Sequence, residues 1–189
     1  NKGDVLILGL LAVSPVQVAL YAVARKLAYY ILIITDPLVT SVYPQFCKLR
    51  EENKNLEVLQ MIKRLTLMAL FPGVIFVMVV MIVGPWLVTQ IFGEEFTGAG
   101  NSFQILAIPA LLQAMFFWMQ PIFQAYDMMN QRLIVFTAGI ISGLAAAWFL
   151  VPTMGSEGMA YAVLISQIIM YSLFILLLIS GLKRTSTAG

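Results

Sequence analysis

The chain has 189 residues, of which 61% are hydrophobic and 11% are charged, and its formal net charge is +2. A soluble domain normally carries about a quarter charged residues, so the composition argues against a soluble protein, and the small net charge argues against a nucleic-acid partner. The chain has no histidine and one cysteine, Cys47, which excludes an internal disulfide and a cysteine/histidine metal cluster.

Several uncharged apolar runs exceed the roughly 20 residues that cross a hydrocarbon core. We therefore expect an all-α, polytopic transmembrane bundle of about six helices. The first apolar run is too short to span, and the chain opens on NKGD without a methionine or a signal peptide. We accordingly expect a truncated first helix in a fragment or a processed chain. The predicted spans cover residues 1–13, 16–47, 65–92, 98–126, 131–151 and 157–182.

The segment 48–64, KLREENKNLEVLQMIKR, is the only charge-dense stretch of the chain. Its large aliphatic residues recur at roughly helical spacing, which favours an amphipathic elbow at the membrane surface. A solvated loop fits the same residues equally well. Residues 183–189 follow the last span as a polar tail. The aliphatic positions of the elbow are Leu49, Leu56, Leu59 and Ile62.

Several residues mark the ends and bends of the predicted helices. Ser14 suits an N-cap, Pro15 suits the first position of the second helix, and Gly93 suits a C-cap. Gly139 and Gly143 form a GxxxG motif, which predicts close helix packing inside this chain, with a dimer face as the alternative. Prolines inside the apolar segments predict kinks of the kind that transporters use as hinges: Pro37, Pro44, Pro72, Pro85, Pro109 and Pro121.

Among the predicted loops, only those on one side of the membrane carry basic residues. In the loops on the other side, at residues 14–15, 93–97 and 153–158, the only charged residues are glutamates. Because basic loops stay in the cytoplasm, we expect the elbow and the C-terminal tail to be cytoplasmic. The basic residues of that side are Lys48, Arg50, Lys54, Lys63, Arg64, Arg132, Lys183 and Arg184.

The span 16–47 differs from the others because Arg25, Lys26 and Asp36 lie well inside it. A charge at the centre of a membrane helix is costly and usually faces the bundle interior or a watery cavity. Asp4 and Arg25 are equally distant from the turn at residues 14–15, about 15 Å along two antiparallel helices. We therefore predict an Asp4–Arg25 ion pair, with Lys26 as the alternative partner.

The polar side chains of this span fall on one face of a continuous helix, which we interpret as a cavity wall. That face carries Tyr21, Arg25, Tyr29 and Asp36, whereas Lys26 points away from it and can snorkel. A second polar stripe on the span 98–126 either contacts neighbouring helices or lines the cavity, and we favour the cavity. It consists of Gln113, Gln120 and Gln124.

Each charged residue of the central span has a structural and a functional interpretation. Asp4 and Arg25 can simply lock two helices together, and Asp36 can satisfy backbone groups freed by Pro37. The functional interpretations are contact with an anion for Arg25 or Lys26, and proton or sodium coupling for Asp4 or Asp36. No other cofactor and no metal site is expected.

The stretch 102–170, from SFQILAIPALLQAMFFWMQPIFQAY to YAVLISQIIM, resembles the C-terminal region of bacterial polysaccharide-biosynthesis membrane proteins. These are the oligosaccharide flippases of the multidrug/oligosaccharidyl-lipid/polysaccharide exporter superfamily. NKGDVLILGLL and ALYAVARKL resemble the start of that family's second lobe, and VGPWLVTQIFGEEF resembles its outer loop. The family's usual Gly-Tyr before A-x-[KR] is Leu20-Tyr21 here, a departure from the pattern.

The resemblance implies a transporter of two lobes around a central cavity, of which this chain would be the second lobe. The first lobe would be its partner in the same polypeptide, in the bacterial cytoplasmic membrane. The implied substrate is a polyprenyl-pyrophosphate-linked oligosaccharide flipped to the outer leaflet, and the implied protein is not an enzyme. Arg25 best fits contact with the pyrophosphate.

Four rival functions stay open. A multidrug exporter of the same superfamily would take organic cations and favour acidic cavity residues. A peptidoglycan-precursor flippase would take a similar lipid-linked anion. A membrane-embedded transferase is disfavoured because there is no histidine and no dense catalytic cluster in the outer loops. A non-transporting scaffold is disfavoured by the internal charges and the many prolines.

Overall fold

The computed structural model describes residues 3–10 and 14–186, without the side chains at positions 34, 36 and 180–186. Within these residues the structure is helical and contains no strand. Two short 3-10 turns, Tyr29–Ile31 and Glu94–Phe96, interrupt the helices. In chain order the helices are α1 (Gly3–Leu10), α2 (Pro15–Ala28), α3 (Leu32–Glu51), α4 (Asn55–Phe92), α5 (Ala99–Met115), α6 (Met119–Ala125) and α7 (Met129–Ser186).

Three helical segments in the described part of the chain are long and apolar enough to cross a membrane. They are Asn55–Phe92, Ala99–Ala125 and Met129–Ile179. The prediction of an all-α fold is confirmed for the described residues, and these three segments confirm that parts of it could span a membrane. The predicted central span 16–47 is not among them, because α2 has only 14 residues and α3 carries several charged side chains.

The prediction of one continuous helix over residues 16–47 is wrong in its middle. The 3-10 turn Tyr29–Ile31 separates α2 from α3, which continues to Glu51. Two tyrosines and an isoleucine occupy this turn, and such side chains lose rotamer freedom against the preceding helical turn. The start agrees with the prediction: Ser14 is the N-cap, and its hydroxyl accepts a hydrogen bond from the Gln17 amide at 3.4 Å.

The predicted elbow 48–64 is divided between two helices, and its place at a membrane surface stays a prediction. Its first residues complete α3, and residues 52–54 form a tight turn in which Asn53 has a φ of 55°. From Asn55 the chain enters α4 and stays helical to Phe92, where Gly93, with a φ of 95°, is the predicted C-cap. No proline or glycine interrupts the good helix formers of residues 55–65, so the helix runs on from polar to apolar sequence.

The predicted span 98–126 is broken at residues 116–118. α6 restarts at Met119 with Pro121 in its first turn, where a missing amide hydrogen costs no helical hydrogen bond. Trp118, in the break, is buried and donates its indole hydrogen to the Thr66 hydroxyl at 2.9 Å. The break therefore packs α6 into a core at the basic end of the molecule.

α7 folds back on itself at Gly155, which has a φ of 56° and a ψ of −125°. The two predicted spans 131–151 and 157–182 become its antiparallel arms, joined by a shorter turn than the predicted loop. A Cβ at Gly139 would lie 3.2 Å from Met170, and one at Gly143 would lie 3.0 Å from Ser166. The GxxxG motif thus packs the two arms together, as predicted for contact inside the chain.

The three loops predicted to share one side converge at one end of the bundle. The Gln17 amide oxygen accepts a hydrogen bond from the Ser156 backbone amide at 3.0 Å, and Asn101 donates to Glu157 at 2.9 Å. At the opposite end, Arg50 pairs with Asp127 at 2.7 Å. The described bundle therefore has one acidic and one basic end, with a hydrophobic core towards each.

Candidate functional site

An ion pair between Asp4 of α1 and Arg25 of α2 forms the centre of the candidate site. The carboxylate Oδ2 of Asp4 contacts the guanidinium Nε of Arg25. The Tyr21 hydroxyl donates to the same carboxylate oxygen at 3.0 Å. Both charged side chains are mostly buried, with 14% of Asp4 and 20% of Arg25 exposed. The contact predicted from the hairpin register is present, and Lys26 is not the partner.

Polar contacts continue from Arg25 across the bundle to α7. The guanidinium carbon of Arg25 lies 5.2 Å from the centre of the Tyr29 ring, a cation–π distance. Gln167 donates from its side-chain amide to the Tyr29 hydroxyl at 3.1 Å. Gln167 was not identified from the sequence, although it is a polar residue inside an uncharged apolar run and that signal was available.

Two acceptor atoms of this network are buried without a hydrogen-bond partner: Oδ1 of Asp4 and Oε1 of Gln167. A buried acceptor normally has a partner, because desolvating it alone costs about 1–3 kcal/mol. Both atoms are therefore available to accept a hydrogen bond. Oδ2 of Asp4 thus contacts Arg25 and Tyr21, while Oδ1 of the same carboxylate has no hydrogen-bond partner.

A cleft of about 640 Å³ opens beside this network on the surface of α1, α2, the 3-10 turn that follows α2 and the start of α3. Both basic residues reach it, which corrects the prediction that Lys26 points away from the cavity. Successive helical residues are about 100° apart, and the cleft is wide enough to include both. It is lined by Val5, Leu6, Ala22, Arg25, Lys26, Tyr29, Tyr30 and Ile33.

Lys26 differs from Arg25 in having no counter-charge. Its side chain is exposed, and no ion pair involves it among the side chains that the structure describes. Asp4 compensates the charge of Arg25, so the cleft carries one uncompensated positive charge. Lys26 lies about 16 Å from the start of α2 at 1.5 Å per residue, in the last turn of that helix.

The other residues of the predicted cavity face separate in the structure. Tyr29 lines the cleft, whereas Tyr21 is fully buried and contacts Asp4 instead. Asp36 belongs to α3, and its side chain lies outside the described part, so its role stays a prediction. The 3-10 turn between α2 and α3 also changes the rotation of one helix relative to the other.

The glutamine stripe does not form on one helix. Gln113 lies on α5, and Gln120 and Gln124 lie on α6, beyond the break at residues 116–118. The break shifts the rotation of α6, so spacings of 7 and 11 residues no longer place the three side chains on one face. None of them lines the cleft beside Arg25, and Gln124 is exposed at the basic end.

The described residues contain no group of three or more Cys, Asp or Glu side chains placed to hold a metal ion. The site combines a paired arginine, a lysine without an ion pair, a tyrosine ring and a carboxylate oxygen without a hydrogen-bond partner. No family model, no curated protein and no solved structure matches this chain.

Proposed function

We propose that this chain is one lobe of a membrane transporter that moves an anionic, lipid-linked substrate by alternating access. The substrate class that fits best is a polyprenyl-pyrophosphate-linked oligosaccharide, carried across the bacterial cytoplasmic membrane. The observation that carries the proposal is the surface cleft that Lys26 and Arg25 share with apolar side chains of α1 and α3. The resemblance of residues 102–170 to oligosaccharide flippases points to the same class.

The charge balance of the cleft favours an anion. Asp4 neutralises Arg25, and Lys26 stays unpaired among the described side chains. An unpaired ammonium at this depth is costly unless it faces water or an opposite charge. A pyrophosphate between the two basic side chains would offset that cost.

The apolar part of the cleft suits the lipid portion of such a substrate. Leu6, Tyr30 and Ile33 line it and are 66%, 60% and 59% exposed. In the proposed transporter, a first lobe of the same polypeptide would cover this open side and complete the cavity. The basic end of the bundle would then face the cytoplasm, in keeping with the distribution of lysine and arginine.

The direct test replaces Lys26 in the full-length protein and measures surface polysaccharide. We expect Lys26→Ala to reduce it strongly, with unchanged protein in the membrane, and Lys26→Arg to retain most of it. Lys48→Ala, which removes a lysine from the basic end, is the matched control and should leave it unchanged. Normal surface polysaccharide with Lys26→Ala would refute the cavity role of this lysine.

A cation antiporter of the same superfamily is the second candidate, favoured by the buried and unpartnered Oδ1 of Asp4. A carboxylate oxygen of this kind suits proton or sodium coupling or the binding of an organic cation. In that case Asp4→Asn would abolish resistance to cationic drugs, while Lys26→Ala would have little effect. A peptidoglycan-precursor flippase would share the requirement for Lys26, and an assay with its own lipid-linked precursor separates it from the leading proposal.

A further inference from the structure

A second, shallow and open cleft of about 420 Å³, lined by side chains of α4 alone, lies near the basic end of the bundle, apart from the Asp4–Arg25 site. All its lining side chains are exposed, and Leu67 and Met68 are 54% and 57% exposed. The cleft lies where the charged first turns of α4 give way to the uncharged sequence from residue 65 onwards. Its lining residues are Gln60, Lys63, Arg64, Leu67 and Met68.

The two basic side chains of this cleft have no partner. Among the side chains that the structure describes, no hydrogen bond, ion pair or ring contact involves Lys63 or Arg64. The nearest carboxylate along α4 is Glu57, and Lys54 pairs with it at 3.5 Å. The cleft therefore carries two positive charges that nothing in the described bundle compensates.

Other basic residues at the same end are already engaged. Arg50 pairs with Asp127 at 2.7 Å, and Lys54 pairs with Glu52 at 2.9 Å. Arg132 lies over the Phe136 ring at 5.6 Å. Lys63 and Arg64 are therefore adjacent cations without a carboxylate partner, and Arg132 is the other described cation at this end that has none.

An exposed apolar strip leads away from the cleft along the same side of α4. Its members follow Lys63 and Arg64 at helical spacings of three and four residues, so they lie on one face. The strip is long enough to accompany an acyl chain into a hydrocarbon core. The exposed side chains of this strip are Leu67, Phe71, Ile75, Met78 and Ile82.

We propose that this face of α4 binds an anionic phospholipid, with the lipid phosphate between Lys63 and Arg64 and an acyl chain along Leu67 and Phe71. Two adjacent cations at the start of an apolar span match the arrangement of a headgroup above its acyl chains. The Gln60 amide can donate a further hydrogen bond to a phosphate or glycerol oxygen. Each cation near an anionic membrane surface contributes about 1 kcal/mol, or about a fivefold gain in affinity.

The test uses the full-length protein in nanodiscs that contain equal amounts of phosphatidylglycerol and phosphatidylcholine. Native mass spectrometry then counts the lipids that stay bound after the disc is released. We expect the protein to retain phosphatidylglycerol preferentially, and Lys63→Gln with Arg64→Gln to lower that preference by more than tenfold. Lys63→Arg with Arg64→Lys keeps both charges and should preserve it.

The matched control is Lys48→Gln with Arg132→Gln, which removes two positive charges from the same end but outside the cleft. Its lipid preference should stay that of the parent protein. An equal loss in the control would show a diffuse charge effect and overturn the site. An unchanged preference for phosphatidylglycerol in the Lys63/Arg64 variant, or no such preference in the parent protein, would also overturn the site. The absence of a preference in the parent protein is the result expected if an acidic protein segment occupied the cleft.

A second measurement separates a bound phospholipid from a bound free anion. Inorganic phosphate at tens of millimolar should not displace phosphatidylglycerol, because the acyl chain along α4 also contributes to binding. Phe71→Ser should weaken retention without changing the charge of the cleft. Displacement by phosphate together with no effect of Phe71→Ser would show an anion site alone and overturn the phospholipid proposal.

Discussion

Asp4 and Arg25 form an ion pair between two successive helices, and the Tyr21 hydroxyl donates to the carboxylate oxygen that contacts the guanidinium. Tyr21 and Arg25 lie one turn apart on α2 and both contact the same carboxylate oxygen of Asp4, which lies 17 residues before Tyr21 on α1. Removing either charge leaves the other mostly buried and unpaired. The pair therefore ties the first turn of α1 to the last turn of α2.

The first prediction is a coupling energy between Asp4 and Arg25. We expect Asp4→Asn and Arg25→Gln each to lower the free energy of unfolding by about 2 kcal/mol, because each leaves a partly buried charge without its partner. The double variant should lose less than the sum of the two, with a coupling of about 1–3 kcal/mol. Denaturant unfolding in detergent micelles measures all four proteins. Additive losses would contradict the ion pair.

This ion pair was predictable from the sequence because it depends only on helix length and on one turn. Asp4 and Arg25 are equidistant from Ser14-Pro15, and two regular helices then bring them to the same depth. The cap residues Ser14 and Gly93 were predictable for a similar reason, since their preferences act on neighbouring backbone groups. The GxxxG contact inside α7 also follows from small residues at regular spacing.

Predictions that assumed an uninterrupted helix failed. A 3-10 turn at residues 29–31 and a break at residues 116–118 interrupt the helices. Positions beyond them no longer follow the 100° spacing from which the helical-wheel faces were derived. The position of Lys26 in the cleft depends on how α1 lies against α2, which is a tertiary feature. The partner of Gln167 depends on the packing of α7 against α2 in the same way.

The second prediction concerns Arg50, which joins the end of α3 to the end of α6. Its Nη1 donates to the Ala125 carbonyl at 2.5 Å and to Asp127 at 2.7 Å, and its guanidinium lies 5.7 Å from the Tyr126 ring centre. Lysine lacks the planar, forked donor geometry. We expect Arg50→Lys to cost about 1 kcal/mol and to speed amide hydrogen exchange at residues 125–128. Lys48→Arg, a neighbouring swap outside this contact, should leave that exchange unchanged.

The third prediction is a pH effect at the turn between α3 and α4. The Lys54 ammonium, 2.9 Å from the Glu52 carboxylate, lowers the pKa of Glu52 below its ordinary value of 4.5. The folded state then binds the proton more weakly than the unfolded state. The stabilising contribution is therefore present above the unfolded pKa and disappears as the pH falls through the folded pKa.

Carbon-13 NMR of the glutamate side chains measures this pKa directly. We expect Lys54→Gln to raise the pKa of Glu52 towards 4.5, with a smaller residual lowering from Lys48 at 4.0 Å. Lys63→Gln removes the same charge elsewhere on α4 and serves as the control. An unchanged pKa in Lys54→Gln would contradict the assignment of Lys54 as the main cause.

The fourth prediction compares two glycines in helical segments whose surroundings differ. A Cβ at Gly158 would lie 2.3 Å from the carbonyl oxygen of Leu150 and 2.6 Å from its carbonyl carbon, on the opposite arm of α7. These are backbone atoms, so no side-chain rotation relieves the clash, and the two arms must separate. We expect Gly158→Ala to lower the free energy of unfolding by about 2–3 kcal/mol.

Gly9→Ala in α1 is the control, because a Cβ at this position meets nothing within 4 Å. This variant should be neutral or stabilising by up to about 1 kcal/mol. Unfolding in micelles compares the two variants, and equal stabilities would contradict the close approach of the arms at Gly158.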